Sequence, residues 1–218
     1  MIKAMIFDMD GTILDSMSYW RRINVDFLKE RGLEPPEEIR ADILSISNRV
    51  CADMYAAKYD LNMTRDEILA EYRRIMSRYY ATEITPKPRV GEYMDHLLAS
   101  GVRLCLGTAT PRELAQPALS RHGLWDKFEF IVSGLDLGLD KQYPEYYRYA
   151  VDKLGLDCGE CAMFEDALYA MKGAKEAGLV VYGIYDPIHE KYQKEIEEIC
   201  DVYIHGYAEL LDENRSRV

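Results

Sequence analysis

The chain has 218 residues, of which 48% are hydrophobic and 30% are charged, and its formal net charge is −11 at pH 7. This apolar fraction excludes a disordered chain, and an acidic protein without a run of Lys or Arg is a poor match for nucleic acid or for an anionic membrane. The apolar stretches have the length of strands, and five cysteines, an odd number, do not indicate a disulfide framework. We therefore expect a globular protein of the cytoplasm without a membrane span.

The first predicted element is a strand at residues 2–7, a short apolar run typical of a strand buried on both faces of a parallel sheet. It meets a carboxylate at Asp8, too early for a signal peptide. From Asp15 onwards apolar residues recur at helical spacing, and residues 64–67 have the pattern of a capping box. No strand-like segment interrupts this stretch, so we predict an all-helical domain over residues 15–85.

After a linker at residues 85–88, the pattern alternates between short strands and helices. Strands are predicted at residues 102–107, 130–132, 162–164, 179–185 and 202–204, and helices around residues 93–99, 111–122, 144–154 and 167–177. Such alternation indicates βαβ units. We predict an α/β fold, a Rossmann-like, mostly parallel sheet with helices on both faces. Residues 1–14 and 86–218 form this core domain, and the helical domain is inserted after its first strand.

Polar residues that follow the predicted strands are candidate site residues, because open parallel sheets bind ligands beyond the carboxyl ends of their strands. They are Asp8, Asp10, Thr108, Lys141, Glu165 and Asp166. Four carboxylates, one hydroxyl and one lysine are the groups expected around a metal ion and a phosphate.

The segment Asp8-Met9-Asp10-Gly11-Thr12 carries the strongest signal. Two acids separated by one residue point to the same side of an extended chain. Their carboxylates repel each other, so a cation is expected beside them, and an oxygen-rich site with few ligands suits Mg²⁺. A carboxylate can also attack phosphorus and form an aspartyl-phosphate. A turn with two surface acids is the alternative, but it does not explain both acids at the end of a buried strand.

This segment and three later ones resemble the haloacid dehalogenase-like hydrolases, and specifically their β-phosphoglucomutase-like subgroup of phosphatases and phosphomutases. Asp-x-Asp-Gly-Thr after an N-terminal strand is highly specific for that superfamily. The later signatures follow in order: a strand that ends at Thr108, then Lys141, then Glu165 and Asp166 before a helix. The resemblance covers the whole chain, and the helical stretch matches the small cap domain of the subgroup.

The resemblance implies a role for each catalytic residue. Asp8 would be the nucleophile, and Asp10 would be the general acid that protonates the leaving group and then the general base that activates water. Thr108 would hold a phosphoryl oxygen, and Lys141 would neutralise charge on Asp8 and on the phosphoryl group. A threonine or a lysine alone is typical of a solvated loop. Thr108 and Lys141 indicate a site because they occur in the same order as in the family's four signatures.

The same resemblance implies Mg²⁺ as the cofactor. Its ligands would be the Asp8 carboxylate, the Asp10 backbone carbonyl and Asp166, with Glu165 assisting directly or through a metal-bound water. For Asp166 the alternative is an acid that caps the following helix, and the two roles can coexist.

Asp10, the second acid of the motif, reduces the number of possible reaction types, because dehalogenases and phosphonate hydrolases of this superfamily lack an acid at this position. Phosphatase and phosphomutase remain. In β-phosphoglucomutase-like enzymes a His shortly after the first motif couples substrate binding to that acid, and Trp20 stands near this position here. We therefore favour a phosphatase of a small phosphorylated metabolite and keep a sugar-phosphate mutase as the alternative. A non-catalytic binding protein on the same fold fits the filled catalytic positions less well.

Substrate contacts from the helical domain are expected at residues 45–49, which resemble the substrate-contacting cap segment of the family. Arg49 would bind a second anionic group through its planar guanidinium, and a solvated arginine on a helix surface is the equal alternative. Cys158 and Cys161 have the spacing of a redox motif but lack a second pair, which favours a structural role. The four histidines are scattered in the sequence and predict no metal cluster.

Overall fold

The computed structural model describes residues 1–37 and 48–211. The chain divides into two compact units, which we call the sheet unit and the helical unit. The sheet unit consists of Met1–Asp15 together with the chain from Thr85 onwards, and the helical unit is Ser16–Ile84.

The described part of the helical unit has three helices: α1 (Met17–Lys29), α2 (Asn48–Lys58) and α3 (Arg65–Thr82). The predicted capping box is confirmed: Thr64 Oγ1 accepts a hydrogen bond from Glu67 N, and the Glu67 carboxylate accepts one from Thr64 N at 2.7 Å. The ring of Phe27 packs against Tyr55 and Tyr72, with centroids 6.3 and 5.3 Å away. Buried aromatic side chains from all three helices therefore form the core of this unit.

Among the described residues, the sheet unit has six strands: β1 (Ala4–Phe7), β2 (Arg103–Thr108), β3 (Phe130–Ser133), β4 (Cys161–Glu165), β5 (Val180–Ile184) and β6 (Val202–Ile204). Their order is β3-β2-β1-β4-β5-β6, and each pair of neighbours is parallel. This is the strand order of a doubly wound Rossmann-like sheet, so the predicted fold class is confirmed.

Helices cover both faces of this sheet. They are α4 (Val90–Ala99), α5 (Arg112–Ser120), α6 (Gly134–Leu137), α7 (Pro144–Leu154), α8 (Leu168–Ala177), α9 (Gln193–Ile199) and α10 (Ala208–Leu211). On one face Ile6 belongs to a buried cluster with residues of α7 and α8. On the other face the rings of Phe7 and Phe164 stack at 5.4 Å, and Tyr93 of α4 meets both edge-on. Because side chains alternate along β1 and both faces are covered, β1 is apolar throughout.

Most predicted elements lie within two residues of the observed bounds. The first strand begins at Ala4, two residues later than predicted, although Lys3 N already donates to Glu160 O at 2.8 Å. The sequence analysis missed α6, α9 and α10. Of the seven residues of α9 only Ile196 is buried, so this helix has no apolar stripe to detect. No helix among the described residues combines the length and the apolar character needed to cross a membrane.

Candidate active site

The carboxyl ends of β1 and β4 lie side by side, at the point where the strand order reverses. Open α/β sheets bind ligands at such a switch point. Asp8 follows β1, Glu165 ends β4, and Asp166 comes next. One carboxylate oxygen from each of these three buried acids lies within 4.8 Å of the other two. The fold therefore brings together the three carboxylates that the sequence analysis proposed as metal ligands.

A tight turn ties the first acidic motif to the end of β4. Asp8 N donates to Phe164 O at 2.9 Å, which extends the ladder by one residue. Gly11 then takes a φ of +87°, a left-handed conformation that favours glycine. Thr12 is fully buried, and its Oγ1 donates to Asp166 Oδ1 at 3.4 Å. The glycine and the threonine of the motif thus bend the chain and fasten it to the neighbouring strand.

Lys141 is the cation of this cluster, and it is only 3% exposed. Its Nζ donates to Asp8 Oδ1 at 2.7 Å and to Glu165 Oε2 at 2.5 Å. Burial lowers the pKa of a lysine, but the two carboxylates outweigh it and raise the pKa of Lys141 well above its ordinary value. Lys141 therefore stays charged and bridges the ends of β1 and β4.

The backbone of Lys141 is pressed against α8. A Cβ placed on Gly173 of this helix would lie 2.4 Å from the carbonyl oxygen of Lys141 and 2.9 Å from the carbonyl carbon of Gln142. These are backbone atoms that cannot move aside without shifting the loop, so glycine at position 173 allows the close approach. The loop that carries Lys141 therefore packs directly against the backbone of α8.

Both oxygens of Glu165 accept hydrogen bonds from the protein. Oε2 accepts from Lys141, and Oε1 accepts from the backbone N–H groups of Asp166 and Ala167 at 3.2 and 3.1 Å. Glu165 is thereby fixed as the residue that orients the lysine, and it has less freedom to turn toward a cation than Asp8 or Asp166.

The cluster contains three carboxylates and one ammonium group, so negative charge is in excess. Burial, followed by the charge of Glu165, raises the pKa of Asp8 to about 8, and burial raises the pKa of Glu165 to about 7. Burial also raises the pKa of Asp166. Within the described part of the chain, Asp8 Oδ2 and Asp166 Oδ2 are buried without a hydrogen-bond partner, which is costly for charged oxygens. A hard divalent cation such as Mg²⁺ prefers these ligands and would supply the missing charge, so the residues present fit the cofactor.

Asp10 is half-buried and is held by the loop after β2. Thr110 Oγ1 donates to Asp10 Oδ2 at 2.7 Å, and Thr110 N donates to Thr108 Oγ1 at 3.0 Å. Thr108, the last residue of β2, is buried, and its hydroxyl keeps a hydrogen to donate. The fold thus places the motif that contains Asp10 next to the strand end at Thr108. Sequence analysis missed Thr110, whose one signal is its position two residues after Thr108.

His189 is a second residue that sequence analysis missed. It lies in the 3₁₀ turn Pro187–Tyr192 after β5, and its Nε2 is 3.3 Å from Asp166 Oδ2. The contact joins the loops after two strands that are neighbours in the sheet. A histidine's position along the sequence does not reveal such a contact, because strand order comes from the tertiary fold.

The remaining predicted residues lie elsewhere. Arg49 belongs to the helical unit, where it is exposed in the first turn of α2, and residues 45–47 lie outside the described part of the chain. Cys158 lies in the 3₁₀ turn Cys158–Glu160 just before β4, Cys161 is the buried first residue of β4, and both are free thiols.

A family model described as haloacid dehalogenase-like hydrolase matches residues 2–178. Hexitol phosphatase B of Escherichia coli is 27% identical over 214 residues, which cover 96% of this chain and 94% of that protein. The phosphorylated carbohydrates phosphatase of Thermotoga maritima is 24% identical over 194 residues, with 87% and 88% covered. The crystal structure of β-phosphoglucomutase from Clostridium difficile has a similar fold, with a TM-score of 0.72, 18% identity, and 99% and 96% covered.

Proposed function

The chain belongs to the haloacid dehalogenase-like hydrolases, and we propose that it is a Mg²⁺-dependent phosphatase that acts on a small phosphorylated metabolite through an aspartyl-phosphate on Asp8. One observation carries the proposal: Asp8 is buried at the switch point, its Oδ1 accepts a hydrogen bond from Lys141, and its Oδ2 has no hydrogen-bond partner among residues 1–37 and 48–211. A carboxylate in this state is oriented by its cation and can attack phosphorus. The relatives named for hexitols and phosphorylated carbohydrates support sugar and polyol phosphates as the first substrates to test.

In the first half-reaction Asp8 attacks phosphorus, and the bond from phosphorus to the leaving oxygen breaks. Asp10 gives its proton to that oxygen, which departs as an alcohol. Lys141 and Thr108 stabilise the negative charge on the other phosphoryl oxygens. Mg²⁺, held by the carboxylates of Asp8 and Asp166 and by the backbone carbonyl of Asp10, would neutralise charge on the phosphate when bound.

In the second half-reaction Asp10, now a carboxylate, takes a proton from water as the water oxygen attacks phosphorus. The acyl–phosphate bond breaks, inorganic phosphate leaves, and the Asp8 carboxylate is regenerated. The hydrogen bond from Thr110 Oγ1 holds Asp10 in one orientation through both steps. We further propose that the helical unit serves as the cap that selects the substrate, with Arg49 as a contact for an anionic group.

Removal of the metal ion is expected to lower kcat by about 10²–10⁴, because a metal ion contributes several kcal/mol of charge stabilisation to such reactions. The measurement is phosphate release from a panel of sugar phosphates, first in excess EDTA and then after Mg²⁺ is added back. Recovery on addition of Mg²⁺ is the internal control. Full activity in excess EDTA would contradict the metal requirement.

Gly173→Ala is expected to lower kcat by about 10–100-fold, because displacing the loop by about 1 Å would misplace Lys141. In a helix without this contact the same change would stabilise the protein by about 1 kcal/mol. Steady-state turnover of p-nitrophenyl phosphate and thermal unfolding check the two effects. Gly159→Ala is the matched control, because a Cβ there meets no atom of the described residues within 4 Å. A Gly173→Ala protein that is more stable and fully active would show that the contact does not position the lysine.

A sugar-phosphate mutase is the second candidate, because a β-phosphoglucomutase of known structure shares this fold. A mutase must protect its aspartyl-phosphate from water until a sugar hydroxyl arrives. Trp20, near the position of the coupling histidine, has no titratable nitrogen, and its Nε1 donates to Tyr80 OH at 3.1 Å. This side chain cannot provide the histidine-type coupling, so we favour the phosphatase.

Incubation with glucose 1-phosphates and a bisphosphate activator is expected to release inorganic phosphate, or to give no reaction, and to yield no glucose 6-phosphate. Both products are measured in the same sample, by a phosphate assay and by a coupled dehydrogenase assay. Efficient isomerisation with little phosphate release would contradict the phosphatase assignment and support the mutase.

A further inference from the structure

His189 faces Asp166, one of the three carboxylates of the acidic cluster, without completing a hydrogen bond. His189 Nε2 and Asp166 Oδ2 lie 3.3 Å apart, and neither atom has a hydrogen-bond partner among the described residues. The side chain of Asp166 is 2% exposed and that of His189 is 19% exposed. Leaving two such atoms unpaired costs free energy, and their separation is already close to that of a hydrogen bond.

The turn that carries His189 is anchored at its first residues. Asp186 caps the turn: its Oδ1 accepts from Ile188 N at 3.1 Å, and its carbonyl accepts from His189 N at 3.0 Å. Asp186 Oδ2 accepts from Lys87 Nζ at 3.1 Å in a largely buried ion pair. A charge-assisted hydrogen bond of this kind is stronger than a neutral one, so it holds the turn in place. Contacts within the sheet unit therefore hold the turn so that His189 lies next to Asp166.

We propose that His189 is a positioning residue of the metal site, whose Nε2–H donates to Asp166 Oδ2 and fixes the carboxylate that binds Mg²⁺. Thr12 Oγ1 already donates to the other oxygen, Oδ1, so the carboxylate is oriented from both ends. Each oxygen keeps a lone pair for a cation. Loss of an outer partner of a metal ligand typically weakens metal binding by about 10–100-fold. The inference rests on the proposed function, because it takes Asp166 as a ligand of Mg²⁺.

The test is the Mg²⁺ dissociation constant of the full chain, measured by isothermal titration calorimetry. His189→Leu removes the N–H and should weaken Mg²⁺ binding by about 10–100-fold. His189→Gln places an amide N–H near the position of Nε2 and should restore most of the affinity. His189→Asn, whose shorter amide does not reach that position, should resemble His189→Leu. His96→Gln, at an exposed position of α4, is the control and should bind like the wild type.

Comparing the Mg²⁺ affinities of His189→Gln and His189→Asn tests the role of the N–H even if His189→Leu folds poorly. Melting temperatures measured in EDTA show whether each variant is folded. Equal affinities for His189→Gln and His189→Asn would overturn the inference, because a role limited to packing does not depend on where the N–H lies. Wild-type affinity in His189→Leu would overturn it as well. A wild-type protein that binds no Mg²⁺ would instead overturn the proposed metal site, and this inference with it.

Discussion

Asp8→Asn is expected to lower kcat by a factor on the order of 10⁵–10⁶, the range seen when the nucleophile of a covalent mechanism is removed. An amide oxygen is a poor nucleophile toward phosphorus, and the other groups of the site cannot replace it. Asparagine keeps the shape of the side chain and an oxygen that can accept from Lys141, so the fold should persist. The measurement is phosphate release by the purified variant, with its melting temperature as a check on folding.

Asp152→Asn is the matched control for the first prediction. Asp152 is exposed on α7, and the same loss of one negative charge there should leave kcat unchanged. Turnover of Asp8→Asn within about tenfold of the wild type would be too much residual activity for an enzyme that has lost its nucleophile. Asp8 would then not be the nucleophile.

Asp10→Asn is expected to lower kcat for a sugar phosphate by about 10²–10⁴, the range for loss of a general acid and base. The variant cannot protonate the sugar oxygen as it leaves, and it cannot accept a proton from water in the second step. Formation of the aspartyl-phosphate should be less impaired with aryl phosphates, whose leaving groups need less protonation. Single-turnover kinetics with p-nitrophenyl phosphate and with a sugar phosphate separate these two steps.

Thr110→Ser is the control for the second prediction, because serine keeps the hydroxyl that donates to Asp10 Oδ2. It should retain far more activity than Asp10→Asn. Equal slowing of the first step for aryl and sugar phosphates in Asp10→Asn would show that the residue acts on something other than the leaving group.

The sequence predicts the fold well because the signals are local. Apolar strands of three to six residues alternate with mostly amphipathic helices, and most strands end at a polar residue or are followed by one. The two acids after β1 form a motif within five residues, and Lys141 is placed beside Asp8 in the structure as the resemblance implies. Strand alternation and motif order therefore suffice to bring these groups to one edge of the sheet.

Contacts that depend on strand order and loop shape are not predictable in this way. His189 reaches Asp166 because β5 lies beside β4, and Thr110 reaches Asp10 because β2 lies beside β1. Neither side chain has an unusual sequence environment. The contacts of Glu165 are likewise not predictable from the sequence. The hydrogen bonds that it accepts from Lys141 and from two backbone N–H groups depend on the loop geometry after β4.

The proposed mechanism requires that the phosphoryl group be transferred to Asp8. Asp10→Asn protein mixed with Mg²⁺ and p-nitrophenyl phosphate should form the aspartyl-phosphate readily and hydrolyse it slowly, because the leaving group needs little protonation and water lacks its base. We expect a burst of about one p-nitrophenol per active site, followed by slow turnover. Peptide mass spectrometry of the acid-quenched protein should then find the phosphoryl group on Asp8. A slow reaction without a burst, or a phosphoryl group on any other residue, would contradict the central claim.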